Sequence, residues 1–451
     1  MGGGGGTGIG ELSRPVITTP SFRLYGLGAI MTAALVACTR IPGPAGAPPY
    51  LIALGVAGIA YLLAIREFIR TEKYARHVIL VCLAMSAAWR MPFLLVPPGS
   101  QDDVLRYVWD GRVQRLGYNP YTAIPADPAL AKLHTRETRE MNNPDLPSPY
   151  PAGAQLFFRA VTAIHESAFA FKVAFAACDL EIVLLLVSDL RHRGQGEHWV
   201  LAYAWHPLLV TCVAYNGHID ILGVLLLLIS VAALLRRRPT LAAVTFGLAV
   251  AVKFLPAVLA PLYWRRVRVR DGLLAAVLIA LLYAPFLHPG PLPLGSLGTF
   301  VQRFRFNDPV FAAIERVVRP QAAAGVSVLF GLVAAVWLRA KHPAFSPDGW
   351  AWPMAVLLAS APVIYPWYLL WLVPFLQSAS TLPLMIWTLS VLSVFFVWYS
   401  HALGQLWRVP GWILLLEYGP VATAVAIVTL RGRFHSASPR PPASSRRPVG
   451  F

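Results

Sequence analysis

Long apolar runs separated by short polar segments dominate the chain between residues 22 and 430. Each run predicts an α-helix that crosses a membrane, because about 20 apolar residues span the hydrocarbon core of a bilayer. The runs do not alternate between apolar and polar positions, which excludes the strands of a membrane β-barrel. A shorter run at 150–164 predicts an interfacial or re-entrant helix. The predicted spans lie at residues 22–38, 49–66, 76–97, 168–190, 197–214, 218–235, 239–263, 271–287, 322–339, 350–364, 366–378, 382–400 and 412–430.

Basic clusters fall between these runs and predict how the chain is threaded. The segments "REFIRTEKYAR", "RHR", "RRR" and "RRVRVR" each border a span, and lysine and arginine accumulate in cytoplasmic loops. The alternation places the N-terminus inside and the loops 98–150 and 288–320 outside. Because the run at 239–263 has basic clusters at both ends, we expect a hairpin of two short helices that breaks near "KFLP".

Composition indicates the same class of protein. Hydrophobic residues make up 57% of the 451 residues and charged residues 13%, whereas a soluble domain carries about 25% charged residues. The net charge of +17 is divided among clusters that no aromatic platform accompanies, which argues against nucleic acid as a partner. We therefore expect a flexible glycine-rich N-terminus at 1–21, a single transmembrane domain at 22–430 and a disordered basic cytoplasmic tail at 431–451.

The loop 98–150 opens with an acidic pair, Asp102 and Asp103. A helix that begins at Asp102 would place Asp103, Arg106 and Asp110 on one face. One interpretation is a surface salt-bridge ladder, in which Arg106 pairs at i+4 spacing with Asp102 on one side and Asp110 on the other. The other interpretation is a carboxylate held over a cleft as a general base.

Other polar segments face the same predicted side of the membrane. Tyr107 and Trp109 are expected to anchor the loop helix at the membrane interface. The segment "YNGHID" at 215–220, the "KFLP" break and "RFRFND" at 303–308 all lie on the outer side in the predicted topology. Together with the acidic pair, these segments predict one shared site in the outer leaflet.

Lys253 in "KFLP" is the strongest candidate for contact with a phosphate group. A lysine inside an apolar hairpin costs about 2.5–3.5 kcal/mol on insertion scales, so its presence needs a reason. The alternative is a lysine that extends to the membrane interface. Arg303 and Arg305 are second candidates or interfacial anchors, and Arg112 suits either role.

His218 and Asp220 stand at the start of a predicted span, where they are substrate contacts or polar caps of the helix. Two potential ligands do not make a metal site, and we expect none. Tyr365 in "VIYPWY" is an interfacial aromatic residue or part of a platform for a sugar or a prenyl chain.

Four segments resemble the GT-C glycosyltransferases, and most closely the bacterial polyprenyl-phosphate-mannose-dependent mannosyltransferases of glycosyltransferase family 87. They are "WDGRVQRLGYNPY" after the acidic pair, "AWHPLLVTCVAYNGHIDILGVLLLL", "GLAVAVKFLP" and "VIYPWYLLWLVPF", all within residues 76–378. The resemblance implies an all-α polytopic membrane protein, a bundle of about 12–14 transmembrane helices. Its long first outer loop would carry surface helices.

The resemblance also implies an activity. A sugar, with mannose expected, would pass with inversion from a polyprenyl-phosphate donor to a lipid, glycan or protein acceptor at the outer face of the bacterial cytoplasmic membrane. A loop aspartate would act as general base, with Asp103 as first candidate and Asp102 as second. No cofactor is expected. Substrate contacts are expected from Arg106, Trp109, Asp110, Arg112, Asn216, His218, Asp220, Lys253, Arg303, Arg305 and Tyr365. The alternative function is a transporter or flippase of a lipid-linked or anionic substrate.

Overall fold

The computed structural model describes residues 19–41, 46–71, 73–99, 103–287, 292–341 and 346–437. Within these residues the chain is helical, apart from connections and one isolated β-bridge between Phe306 and Val363. This confirms the predicted all-α polytopic class. Most of the glycine-rich N-terminus and of the basic tail lies outside the described residues. The helices are α1 Thr19–Arg40, α2 Pro48–Arg70, α3 Arg76–Leu95, α4 Asp103–Arg115, α5 Ala152–Ile164, α6 Ala168–His192, α7 Val200–Ala204, α8 Pro207–Leu209, α9 Asp220–Leu235, α10 Pro239–Val252, α11 Val269–Tyr283, α12 Leu297–Arg303, α13 Pro309–Glu315, α14 Pro320–Lys341, α15 Pro347–Ala359, α16 Leu382–Ser390, α17 Phe396–Ala402 and α18 Gly411–Ala437.

Seven helical segments among the described residues are long and apolar enough to cross a membrane, judged by length and composition. They coincide with α1, α2, α3, α11, α14, α18 and the segment Ala379–Ala402. Large apolar side chains such as Val277 and Leu281 of α11 are exposed on their outer surfaces. Such a surface is stable against lipid and unfavourable in water. The protein is therefore an integral membrane protein.

Some apolar runs differ from the continuous helices that their composition predicts. The run at 197–214 is divided into α7, α8 and a π-helix at Val210–Tyr215. The run at 366–378 forms two 3₁₀ helices, Pro366–Trp371 and Val373–Phe375. Pro207 and Pro366 are the first residues of two of these pieces and Pro374 is the second residue of a third, because proline lacks the N–H that would continue a preceding helix.

Helix α9 lies at the centre of the bundle. It packs against α6, α10 and the 3₁₀ helix Pro366–Trp371, and most of its side chains are buried. Protein covers most of its surface, which explains why its sequence is almost entirely apolar after Asp220. The first turn of α9 therefore holds its polar residues inside the protein.

The loop helix α4 is a buried element that packs on α5. Gly111 permits the close approach, since a Cβ atom there would lie 2.4 Å from the carbonyl oxygen of Phe158. The prediction that Tyr107 and Trp109 anchor α4 at the membrane interface is wrong, because both side chains are buried inside the protein. Tyr107 stacks on Phe158 with ring centroids 4.5 Å apart, and Trp109 stacks on His134 at 4.2 Å.

The last helix, α18, is attached to the bundle through a buried carboxylate. Glu417 accepts hydrogen bonds from Asn307 Nδ2 at 2.9 Å and from Trp387 Nε1 at 2.7 Å. Leu415 and Leu416 beside it are exposed on the outer surface. Helix α18 thus presents apolar side chains outward and a fully buried carboxylate inward.

Candidate active site

Three segments that are distant in sequence bring charged and polar side chains together. Asp103 begins α4, His218 and Asp220 stand at the start of α9, and Lys253 follows the last residue of α10. His218 Nδ1 lies 3.7 Å from Asp103 Oδ2, and Lys253 Nζ lies 2.6 Å from Asp220 Oδ1. Of the four polar segments expected to form one site, the structure joins the acidic loop, "YNGHID" and "KFLP".

The backbone before α9 is irregular, and this irregularity places His218 and Asp220. The π-helix Val210–Tyr215 ends just before Gly217, which has a φ of +70°. A Cβ atom at Gly217 would lie 3.0 Å from Lys172 Cγ, so glycine suits both the backbone conformation and the space. π-Helical turns are rare and occur frequently at functional sites.

The predicted break at "KFLP" is present at Lys253. Its backbone is extended, with φ −154° and ψ 136°, between α10 and the 3₁₀ helix Leu255–Tyr263. The ammonium group contacts Asp220 and lies 3.9 Å from the centre of the Tyr368 ring. Asp220 is fully buried, whereas the Lys253 side chain is 18% exposed. The lysine therefore has a partner inside the bundle and keeps an accessible face.

Asp103 is oriented by a residue that local sequence patterns do not identify. Asn142 Nδ2 donates a hydrogen bond of 2.8 Å to Asp103 Oδ1. The other oxygen, Oδ2, faces His218, and the side chain is 20% exposed. Burial raises the pKa of the Asp103 carboxyl above its usual value, while the Asn142 hydrogen bond and the charge of Lys253 oppose that rise. Asp102 lies outside the described residues.

A stack of aromatic rings forms the wall behind His218. Trp367 stacks on the imidazole with centroids 3.9 Å apart, and Tyr365 stacks on Trp367 at 4.4 Å. Trp371 Nε1 donates a hydrogen bond of 2.8 Å to Asp220 Oδ1. Trp367 is buried inside the protein. Trp371 was not predicted, because its partner precedes it by 151 residues.

Arg106 holds the loop that carries Asn142. We call residues 141–148 the strap. The Arg106 guanidinium donates hydrogen bonds to three strap carbonyl oxygens, those of Asn142 at 3.3 Å, Asn143 at 2.6 Å and Leu146 at 3.0 Å. The Arg106–Asp110 step of the salt-bridge ladder is therefore wrong, since the arginine points at backbone oxygens instead. Arg106 fixes the strap that orients the Asp103 carboxylate.

Asp110 fastens the other end of the strap. Its carboxylate accepts hydrogen bonds from Ser148 Oγ and from Gln155 Nε2, the latter at 2.9 Å. Complete burial raises its pKa to about 6. Asp110 is thus a buried link between α4, the strap and α5, two helical turns away from Asp103.

Most of the remaining predicted contacts interact with residues outside this cluster. Arg112 pairs with Glu166 at 2.5 Å, and Arg305 pairs with Glu315 at 2.6 Å. Arg303 is exposed, and no ion pair joins it to another described residue. Asn216 accepts a hydrogen bond from the Gly99 backbone at 3.2 Å and so holds the start of the acidic loop. Trp109 is covered by its stacking partner.

Replacing Asn142 with alanine should raise the pKa of the Asp103 carboxyl, because the substitution removes a hydrogen bond that stabilises the ionised form. If Asp103 is the general base, it acts only when ionised, and the acidic limb of the pH profile of kcat/KM should move to higher pH. Steady-state rates measured across pH check this. Asn143→Gly is the matched control, since the Asn143 side chain is exposed and its φ of 45° suits glycine. An unshifted limb in Asn142→Ala would show that Asn142 does not tune the base.

Together these groups offer a proton acceptor and a cation inside one partly enclosed site. Asp103 retains an oxygen that Asn142 does not occupy, and Lys253 has three N–H donors, of which Asp220 takes one. Among the residues that the structure describes, no group of three or more His, Cys, Asp or Glu side chains is arranged to hold a metal ion. The geometry suits two tasks: Asp103 can remove a proton from one reactant, and Lys253 can bind an anionic group beside it.

Comparison with known proteins adds an independent line of support. The family model described as alpha-(1->6)-mannopyranosyltransferase, N-terminal domain, matches residues 27–267. That range contains Asp103, His218, Asp220 and Lys253, whereas the aromatic stack follows it in sequence. No curated protein and no solved structure matches the chain. Since the family match covers more than half of the 451 residues, the chain belongs to the alpha-(1->6)-mannopyranosyltransferase family and is a membrane-embedded mannosyltransferase of the GT-C type.

Proposed function

We propose that this glycosyltransferase moves mannose from a polyprenyl-phosphate donor to a hydroxyl group of a glycan or lipid acceptor, with Asp103 as general base. The observation that carries the proposal is the partly exposed Asp103 carboxylate, whose Oδ2 lies in the same cluster as the Lys253 ammonium. Because the chain belongs to a mannosyltransferase family, this cluster is better explained by glycosyl transfer than by transport of a substrate across the membrane.

In the proposed step, Asp103 accepts the proton of the acceptor hydroxyl while the hydroxyl oxygen bonds to C1 of the mannosyl group. The bond between C1 and the phosphate oxygen breaks, and the lipid phosphate leaves with the electron pair. Attack opposite to the leaving group inverts C1. An α-linked product, which the family description names, then requires a β-linked donor.

Lys253 is the proposed partner of the donor phosphate. A polyprenyl phosphate keeps its charge close to the apolar phase, where an unpaired anion is costly. Lys253 stands at a helix break, next to a buried carboxylate, with part of its side chain exposed. Its remaining N–H groups fit a phosphate oxygen, and the contact strengthens as charge develops on the leaving group.

Purified protein supplied with polyprenyl-phosphate mannose and octyl α-mannoside should form a disaccharide glycoside. We expect product from the β-linked donor, and none from the α-linked donor or from a mannose nucleotide diphosphate. Mass spectrometry and anomeric NMR couplings identify the product. Transfer from the nucleotide sugar, with none from the lipid donor, would overturn the proposed donor class.

The proposed outer-face site makes a topological prediction. In a variant without the four native cysteines, all of which are free, a single cysteine at Ala126 should react with an impermeant maleimide added to intact cells. One at Arg270 should react only after the membrane is opened. Both positions are exposed at the protein surface. The reverse labelling pattern would place the site on the cytoplasmic face and exclude an outer-leaflet donor.

A further inference from the structure

His218 is a fully buried imidazole, and neither of its ring nitrogens has a hydrogen-bond partner among the described residues. A buried polar atom without a partner costs about 1–3 kcal/mol. Native proteins leave few such atoms, and each calls for an explanation. Two of them on one ring, beside a candidate general base, point to a ligand that supplies the missing partners.

The imidazole is held in a fixed orientation. Its ring lies nearly parallel to Trp367, with an interplanar angle of 11°, and Trp367 is itself stacked on Tyr365. The preceding Gly217 has the positive φ that sets the chain direction at this point. The fold therefore fixes the position of Nδ1 relative to Asp103, because the side chain cannot rotate freely.

His218 Nδ1 and Asp103 Oδ2 lie close enough together for one hydroxyl oxygen beside them to contact both. Nδ1 and Oδ2 are 3.7 Å apart, which is too long for a direct hydrogen bond. Asn142 occupies the other carboxylate oxygen, so Oδ2 is left to accept a proton. A hydroxyl oxygen beside both atoms can donate its hydrogen to Oδ2 and accept one from Nδ1–H.

We propose that His218 binds the reacting hydroxyl of the acceptor through Nδ1–H while Asp103 removes the proton. This inference rests on the proposed function and adds the residue that selects the nucleophile. With Nδ1 protonated, Nε2 of the neutral ring is a hydrogen-bond acceptor, and a second hydroxyl group suits it. The site therefore fits a polyhydroxylated acceptor, a sugar, better than a simple lipid alcohol.

Two substitutions test the roles of the two ring nitrogens separately. The amide nitrogen of asparagine reaches the position of Nδ1, and that of glutamine reaches the position of Nε2. In His218→Gln we expect kcat/KM for octyl α-mannoside to fall roughly tenfold to a hundredfold at saturating polyprenyl-phosphate mannose. His218→Asn should retain clearly more activity, and the donor KM should stay near that of the wild type in both. His165→Asn, at an exposed histidine, is the control.

A second measurement uses the wild-type protein and does not depend on a variant that folds. We use monodeoxy analogues of octyl α-mannoside, each of which lacks one hydroxyl other than the nucleophile. For one of them kcat/KM should fall by a factor of similar size, because Nε2 then has no hydrogen-bond partner. Equal activity of all the analogues would overturn the proposal. So would equal losses in His218→Asn and His218→Gln accompanied by a raised donor KM, since the ring would then serve the donor.

These outcomes are distinct from failure of the proposed function. If the wild-type protein does not consume polyprenyl-phosphate mannose, the proposed donor is wrong and the acceptor role falls with it. The other case is a wild type that transfers mannose and an Asp103→Asn variant that does not. If His218→Asn and His218→Gln then lose equal activity, and all the deoxy analogues are equally active, only the assignment of His218 is overturned.

Discussion

Asp103→Asn should lower turnover by about 10²–10⁴-fold, because a positioned general base contributes a factor of that size. The substitution keeps the shape of the side chain and an oxygen that can accept the hydrogen bond from Asn142. Donor binding and thermal stability should therefore stay near those of the wild type. Initial rates, donor binding and melting temperature measured on the purified protein check all three.

Asp102→Asn is the natural comparison, since Asp102 is the neighbouring carboxylate in the acidic pair. We expect a smaller loss of turnover than in Asp103→Asn. Loss of turnover in Asp102→Asn with full activity in Asp103→Asn would move the role of base to Asp102. Full activity of both single variants and of the double variant would refute a general base in the acidic pair. An ion pair at an exposed position is worth about 0–1 kcal/mol, so a purely structural pair would change activity little.

Lys253→Met should lower kcat/KM for the donor roughly tenfold to over a hundredfold, the equivalent of about 1.5–3 kcal/mol for a charge-assisted contact. It should also lower the melting temperature, because the buried Asp220 carboxylate loses its ion-pair partner. The double variant Lys253→Met, Asp220→Asn removes both charges and should recover much of that stability without recovering activity. Donor titrations and thermal unfolding of both proteins separate the two effects.

Arg303→Met is the matched control for Lys253→Met, since Arg303 is exposed and was the second candidate for the phosphate. We expect nearly normal donor kinetics. A large rise in donor KM for Arg303→Met, with none in the stabilised Lys253 variant, would transfer the phosphate contact to the arginine. Normal turnover of the double Lys253, Asp220 variant would show that the buried pair is structural.

The parts of the site that could be predicted are those that violate the local apolar pattern. Lys253 is a charged residue inside the apolar run 239–263, and His218 and Asp220 stand at the start of the run 218–235. Because a charged or polar group inside a span is costly, its presence alone indicates a partner or a function. The break at "KFLP" could be predicted from a different signal, the basic clusters at both ends of one apolar run.

The partners of these residues could not be predicted, because they depend on tertiary contacts. Asn142 lies 39 residues from Asp103 in a loop without helical periodicity. Helical spacing correctly placed Arg106 one turn before Asp110, yet three backbone carbonyl oxygens of the strap hold the guanidinium instead. Arg112 and Arg305 form ion pairs with glutamates at spacings that no helical pattern predicts. Local patterns thus identify which side chains are unusual, and packing decides which of them meet.

The buried contact of α18 has a consequence for how the protein is made. Glu417 lies in a helix whose outward surface is apolar, and a carboxylate facing lipid would oppose insertion of that helix. Its partners, Asn307 and Trp387, precede it in the chain and leave the ribosome first. The hydrogen-bond donors for the carboxylate are thus synthesised before the helix that carries it. This order of synthesis avoids a carboxylate that lacks hydrogen-bond donors in the bilayer.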